Sequence, residues 1–174
     1  MSNNSPADEP ENAANEAKAA PANEAKAAER AIPVDDVDWQ KLWIATQRKP
    51  WRSLAIIPSS AAIETLSIAK TLAAIGQRHL GRQIDAIDAR SVPLSRIEET
   101  KNAVAARSRR NEFVIVALGP VADSAASLAL ATSADAALLA VLLGHTSMDV
   151  AEKIIEDVGA DRFLGSFVLH RGRF

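Results

Sequence analysis

The stretch from residue 54 to 88 reads Leu54-Ala55-Ile56-Ile57, then Pro58-Ser59-Ser60-Ala61-Ala62, then a run to Gln77, then Ile84-Asp85-Ala86-Ile87-Asp88. The first four residues are apolar without alternation, as in a strand covered on both faces. Pro58 and two serines interrupt the run. From Ala61 to Gln77, Ile63, Leu66, Ala69, Leu72 and Ala73 recur at helical spacing and predict one core-facing stripe. Gly76 and Gly81 bracket the predicted exit. A second strand, Gln83 to Ala89, carries Asp88 near its end. Strand, tight loop, helix and strand in this order predict a βαβ unit with parallel strands.

The same alternation continues downstream. Ser95-Arg96-Ile97-Glu98 has the spacing of a capping box, so a helix is expected from there to about Arg109. Arg107, Arg109 and Arg110 suit the carbonyl end of that helix. Phe113-Val114-Ile115-Val116-Ala117-Leu118 predicts a third strand, stopped by Gly119-Pro120, with a helix over Val121 to Thr132. Ala136 to Leu143 predicts a fourth strand, buried on both faces. Thr146-Ser147-Met148-Asp149 opens another helix, with Val150, Ile154, Ile155 and Val158 inward and Gly159 at its end. Arg162 to Leu169 predicts the last strand. The expected fold class is α/β: a three-layer α/β/α sandwich with a mostly parallel sheet of about five strands, like that of P-loop NTPases.

Upstream, residues 1–33 hold an imperfect repeat, Asn15-Glu16-Ala17-Lys18-Ala19-Ala20 and Asn23-Glu24-Ala25-Lys26-Ala27-Ala28. No large apolar residue lies between Met1 and Ile32, so a disordered N-terminal tail is expected. Asp35 to Arg48 reads as a short amphipathic helix with Trp39, Leu42 and Trp43 on one face. That face either packs on the domain or offers Trp39 and Trp43 as partner-binding residues, since aromatics often anchor interfaces. The expected division is a tail at 1–33, an amphipathic helix and linker at 34–50, and a degenerate P-loop-like domain at 51–174.

Composition narrows the function classes. Of 174 residues, 48% are apolar, enough for a core. There is no cysteine, which removes disulfide and thiolate chemistry and suits a cytoplasmic protein. A net charge of −2 does not drive the chain onto nucleic acid or anionic lipid. The longest apolar run, Ala136 to Leu143, is under half of the roughly 20 residues that a membrane span needs. The given N-terminal residues are polar, so no signal peptide is expected in them.

In a parallel sheet, ligands bind at the carboxyl ends of the strands. A phosphate-binding loop there needs glycines that let N–H groups converge, a lysine for the phosphates and a Ser/Thr for Mg²⁺. Here Ala61, Ala62 and Glu64 stand where glycines belong, Thr65 at the lysine position and Leu66 at the metal position. After the third strand, a metal-binding aspartate is replaced by Ala117. Only Asp88 remains of the acidic positions. His79, His145 and His170 lack metal-ligand spacing. Gly-x-Ser-x-Gly and Rossmann fingerprints are missing. Ser59 and Ser60 have no evident base, and the Arg107–Arg110 and Arg171–Arg173 clusters read as a helix end and a tail.

Trp51 to His170 resembles the ParA/MinD-like deviant P-loop ATPases, and within them the tyrosine-kinase domains of bacterial polysaccharide export, the CpsD/CapB group. Leu54–Asp88 carries the strand–loop–helix–strand length and the terminal Ile-Asp-Ala. Phe113 to Pro120 is similar to the family's hydrophobic strand followed by Asp-x-Pro-Pro. Ala134-Asp135-Ala136 through Gly144, with Thr146-Ser147, and then Gly159 to Leu169 match its later strands. The resemblance implies a nucleotide-binding fold whose P-loop lysine falls at Thr65, whose Walker-B aspartate falls at Ala117 and whose base contact falls near His170. The family's substrate, a C-terminal tyrosine cluster, has no counterpart in a chain without tyrosine. No catalytic, cofactor or metal residue carries over, and ATP and magnesium binding is expected to be lost.

These substitutions lead to the expectation of a non-catalytic pseudo-ATPase or pseudokinase. It would be an interaction or regulatory subunit in exopolysaccharide or capsule biosynthesis and export, cytoplasmic and peripheral at the inner membrane through a protein partner. It would contact neither nucleic acid nor the bilayer interior, and homo-oligomers are compatible with it. The alternatives are a residual nucleotide- or small-anion-binding sensor, using the helix N-terminus after Pro58, and a ParA/MinD-like positioning factor.

Overall fold

Five parallel strands form one sheet in the order β2-β3-β1-β4-β5. They are β1 Ser53–Pro58, β2 Ile84–Ala89, β3 Phe113–Leu118, β4 Ala136–Leu142 and β5 Phe163–Leu169. The helices are α1 Val37–Thr46, α2 Thr65–Leu80, α3 Ile97–Arg109, α4 Ala125–Ser133 and α5 Met148–Val158. This computed structural model describes residues 34–170; the expected tail at 1–33 lies outside them.

The unbroken apolar runs have a simple cause. In β1, Leu54 and Ile56 point into one core, which they share with α1 and α2 residues such as Trp43, Ile68 and Leu72. Ala55 and Ile57 point into a second core, with Val104 of α3, Leu130 of α4 and Ile154 of α5. Strands with a core on each face cannot alternate apolar with polar. The result is the three-layer α/β/α sandwich, with α1 and α2 on one side and α3, α4 and α5 on the other.

Packing also explains where local signals misled. The predicted exit glycine Gly76 lies inside α2, which runs on to Leu80 and ends at Gly81 (φ 62°). A Cβ at Gly76 would come within 2.4 Å of both the Trp43 ring and Ile84, so the glycine is a notch that seats α1. The expected capping box at Ser95 is not used. Leu94–Arg96 forms a 3-10 turn instead, and the α-helix begins at Ile97 without a side-chain cap. Ser147 does cap α5, accepting from the Val150 amide, and Gly159 ends it. Asp135 staples β1 to β4: its carboxylate accepts from the amides of Arg52 (2.9 Å) and Ser53 (2.8 Å), and its own amide donates to Ser53 Oγ.

Trp39 and Trp43 are 8% and 1% exposed, packed within the first core. Trp39 meets Phe167 of β5 edge-on, and Trp43 meets Trp51 in the same way. The Trp51 Nε1–H donates to the Thr46 carbonyl oxygen over 3.0 Å, closing the end of α1 onto β1. The exposed large apolar side chains of α1 are instead Val37 and Ile44.

Candidate functional site: the carboxyl edge of the sheet

Strand order defines where the fold opens. From β1 the chain turns through α2 toward β2; from β3 and β4 it turns the other way. Connections leaving adjacent strands toward opposite faces create a crevice at their carboxyl ends. Residues 59–64 border it, with the ends of β2 and β3 beside them.

The loop after β1 is bonded into the chain. The Ser59 amide donates to the Ala140 carbonyl oxygen (2.9 Å), Ile63 to Ser60 (3.2 Å) and Thr65 to Ile63 (3.1 Å). The hydroxyls of Ser59 and Thr146 share a 2.6 Å hydrogen bond, which ties this loop to the one after β4. Ser60 Oγ is buried and has no partner among the described residues. The predicted helix start at Ala61 is displaced to Thr65 because Glu64 caps the helix, its carboxylate accepting from the Leu66 amide at 3.2 Å. A helix N-terminus attracts anions through its free N–H groups and dipole. Here the chain's own carboxylate occupies that role.

Thr65, at the expected lysine position, is fully buried, and its hydroxyl donates to the Leu118 carbonyl oxygen at 2.7 Å. Ala117, at the expected aspartate position, is also fully buried and lies in register between Ile56 and Asp88. Asp88 does reach the edge, where Arg90 grips it through two hydrogen bonds of 2.8 Å. Arg90 pairs with Glu64 as well, spanning from the end of β2 to the start of α2. The Arg90 guanidinium, chiefly through its hydrogen bond, holds the Asp88 carboxyl below its usual pKa, and Asp88 in turn raises that of Arg90. Gly119 permits this closure, since a Cβ there would lie 2.6 Å from the Arg90 carbonyl oxygen. Beside the network, Asp88, Ser91, Val92, Pro93 and Arg96 line a cavity of about 320 Å³.

These side chains do not fit a magnesium-nucleotide site. Position 65, where a lysine is expected, carries a committed hydroxyl, position 117, where an aspartate is expected, carries a methyl, and the Glu64 and Asp88 carboxylates share one guanidinium. Arg90 escaped the sequence reading because its partner Glu64 lies 26 residues away. The only local hint was its position two residues after Asp88. His79, His145 and His170 are all exposed, and among the described residues no group of three or more His, Asp or Glu is placed to hold a metal.

No protein-family model matches the chain, and no curated protein does. Solved structures do. The chimerical protein CapA2B2 is 14% identical with a TM-score of 0.62, over 81% of this chain and 89% of that one. The kinase domain of Escherichia coli tyrosine kinase ETK is 12% identical with a TM-score of 0.62, over 75% of this chain and 72% of that domain. The BceF tyrosine kinase domain is 12% identical with a TM-score of 0.52, over the same shares, 75% and 72%. At such identities the likeness is one of fold: the chain has the α/β architecture of these tyrosine kinase domains, a CpsD/CapB-like fold.

Proposed function

We propose that this chain is a non-catalytic pseudokinase that serves as an interaction or regulatory subunit in the synthesis and export of a bacterial surface polysaccharide. The observation that carries the reading is the closure of the carboxyl edge. Thr65 is spent on the Leu118 carbonyl, and Glu64, Arg90 and Asp88 satisfy one another where a kinase would need free phosphate and metal ligands. A scaffold kept without its chemistry suits a role in protein contact. The likeness in fold to CapA2B2 and to the ETK and BceF tyrosine kinase domains supports the kinase-like scaffold, and the resemblance of Trp51 to His170 to polysaccharide-export kinase domains suggests the context.

The partner in this account is a protein of the membrane-embedded export machine. Among the described residues no helix is long and apolar enough to cross a membrane; attachment in this account runs through that partner. The test is genetic. Deleting the gene should reduce the amount or shift the length distribution of surface polysaccharide, and Thr65→Val should restore the wild-type pattern. An unchanged polysaccharide profile in the deletion strain contradicts the proposal.

A further inference from the structure

The opposite edge of the sheet, at the amino ends of the strands, carries unspent positive charge. Arg52 precedes β1, Arg82 precedes β2, and Arg109 ends α3 just before β3, so three adjacent strands each bring an arginine to one edge. Arg48, between α1 and β1, is a fourth. None of the four makes an ion pair with a described residue. The carboxylates beside these three strands are spoken for, and Asp161 lies farther along the edge, before β5. Glu112 pairs with Arg110, Asp85 with Arg107, and the Asp135 carboxylate is taken up by two backbone amides. The helices α1, α2 and α3 end at this edge too, but each carbonyl end carries only about half a negative charge. The guanidiniums outnumber them.

Two of the arginines are also pre-positioned. The guanidinium carbon of Arg52 lies 4.5 Å from the centroid of the Phe113 ring, and that of Arg82 lies 5.7 Å from the same centroid. Phe113 is itself pinned edge-on by Trp51 at 5.2 Å. A ring attracts each cation through its quadrupole. It does nothing to relieve the repulsion between two like charges held over it, and an anion does. A guanidinium fork matches the oxygens of a phosphate group with paired hydrogen bonds.

We propose that Arg52 and Arg82, gathered on Phe113, form a binding site for a phosphate group, with Arg48 and Arg109 contributing field. This site is independent of the closed carboxyl edge and stands or falls separately from the pseudokinase reading. The phosphate group is the shared chemistry of a soluble phosphorylated compound and a lipid headgroup.

The test has two arms on the full chain. Inorganic phosphate is titrated while the arginine Nε–H resonances are followed by NMR, and flotation is measured with phosphatidylglycerol vesicles against phosphatidylcholine vesicles. Saturable shifts at Arg52 and Arg82 support the site. They should weaken about tenfold in Arg82→Gln and Arg52→Gln, and less in the lysine variants, which keep charge but lose the fork. Arg96→Gln, at the other edge and paired with Glu99, should bind as wild type does. Flotation with anionic vesicles in addition, lost in the same variants, assigns the phosphate to a headgroup; without flotation the ligand is soluble. No saturable phosphate shift, or flotation that survives both substitutions, overturns the proposal.

Discussion

The Thr65 hydroxyl donates to the Leu118 carbonyl oxygen across 2.7 Å, so the first turn of α2 is tied to the last residue of β3. The bond is buried. Thr65→Val keeps the shape and removes this buried donor, which should cost about 1–3 kcal/mol in urea denaturation. Thr65→Ser keeps the hydroxyl and should lose distinctly less. Equal stability of the valine variant and the wild type would show that the bond contributes nothing.

Arg90 should give stability a measurable pH dependence. The folded-state pKa of Asp88 is depressed by Arg90. Its contribution is therefore present above the unfolded aspartate value of about 3.9 and is lost as pH falls through the lower folded value. The Asp88 side chain is 45% exposed, so screening limits the effect to about 1 kcal/mol or less. Wild type should be more stable than Arg90→Met at neutral pH, with the gap narrowing below about pH 4 and in high salt. Thermal melts across pH check this. A gap independent of pH would mean that Arg90 acts through packing alone.

Ala117→Asp restores the residue type that a kinase would carry but buries a carboxylate in a core that includes Ile56 and Ile115. A carboxylate introduced among these apolar side chains should cost about 3–5 kcal/mol. A denaturation midpoint close to that of the wild type would reveal a counter-charge within reach of the new carboxylate.

Gly76→Ala improves helix propensity yet should destabilise. The new methyl meets the Trp43 ring and Ile84 at 2.4 Å. Overpacking of this kind costs about 1–3 kcal/mol. Tryptophan fluorescence during unfolding should report the looser seat of α1. Increased stability would mean that α1 shifts without cost.

How much was legible in the sequence follows from what range of the chain each feature depends on. The strands β1, β3 and β4 announce themselves because double burial demands continuous apolar residues, and the strand–helix alternation then implies a parallel sheet. The cap at Ser147 was local and visible. The start of α2 was not, because Glu64 overrides the serines and alanines before it by capping with its own carboxylate. The unused box at Ser95 yielded to the turn that follows Pro93. Trp39 and Trp43 offered two uses, and only the notch at Gly76 shows how deeply Trp43 is seated. Thr65 and Ala117, the positions expected to hold a lysine and an aspartate, could be read locally. What fills the edge instead was not, since the Glu64–Arg90 pair joins two different strand exits.

The most direct measurement is a calorimetric titration of the wild-type chain with Mg·ATP, carried to millimolar concentration. The closed network of Glu64, Arg90 and Asp88, with Thr65 spent on Leu118, predicts no heat beyond dilution at this edge. Saturable micromolar binding, lost on substitution in the loop from Ser59 to Glu64, would contradict the account and make this chain a nucleotide-binding protein with an unorthodox loop.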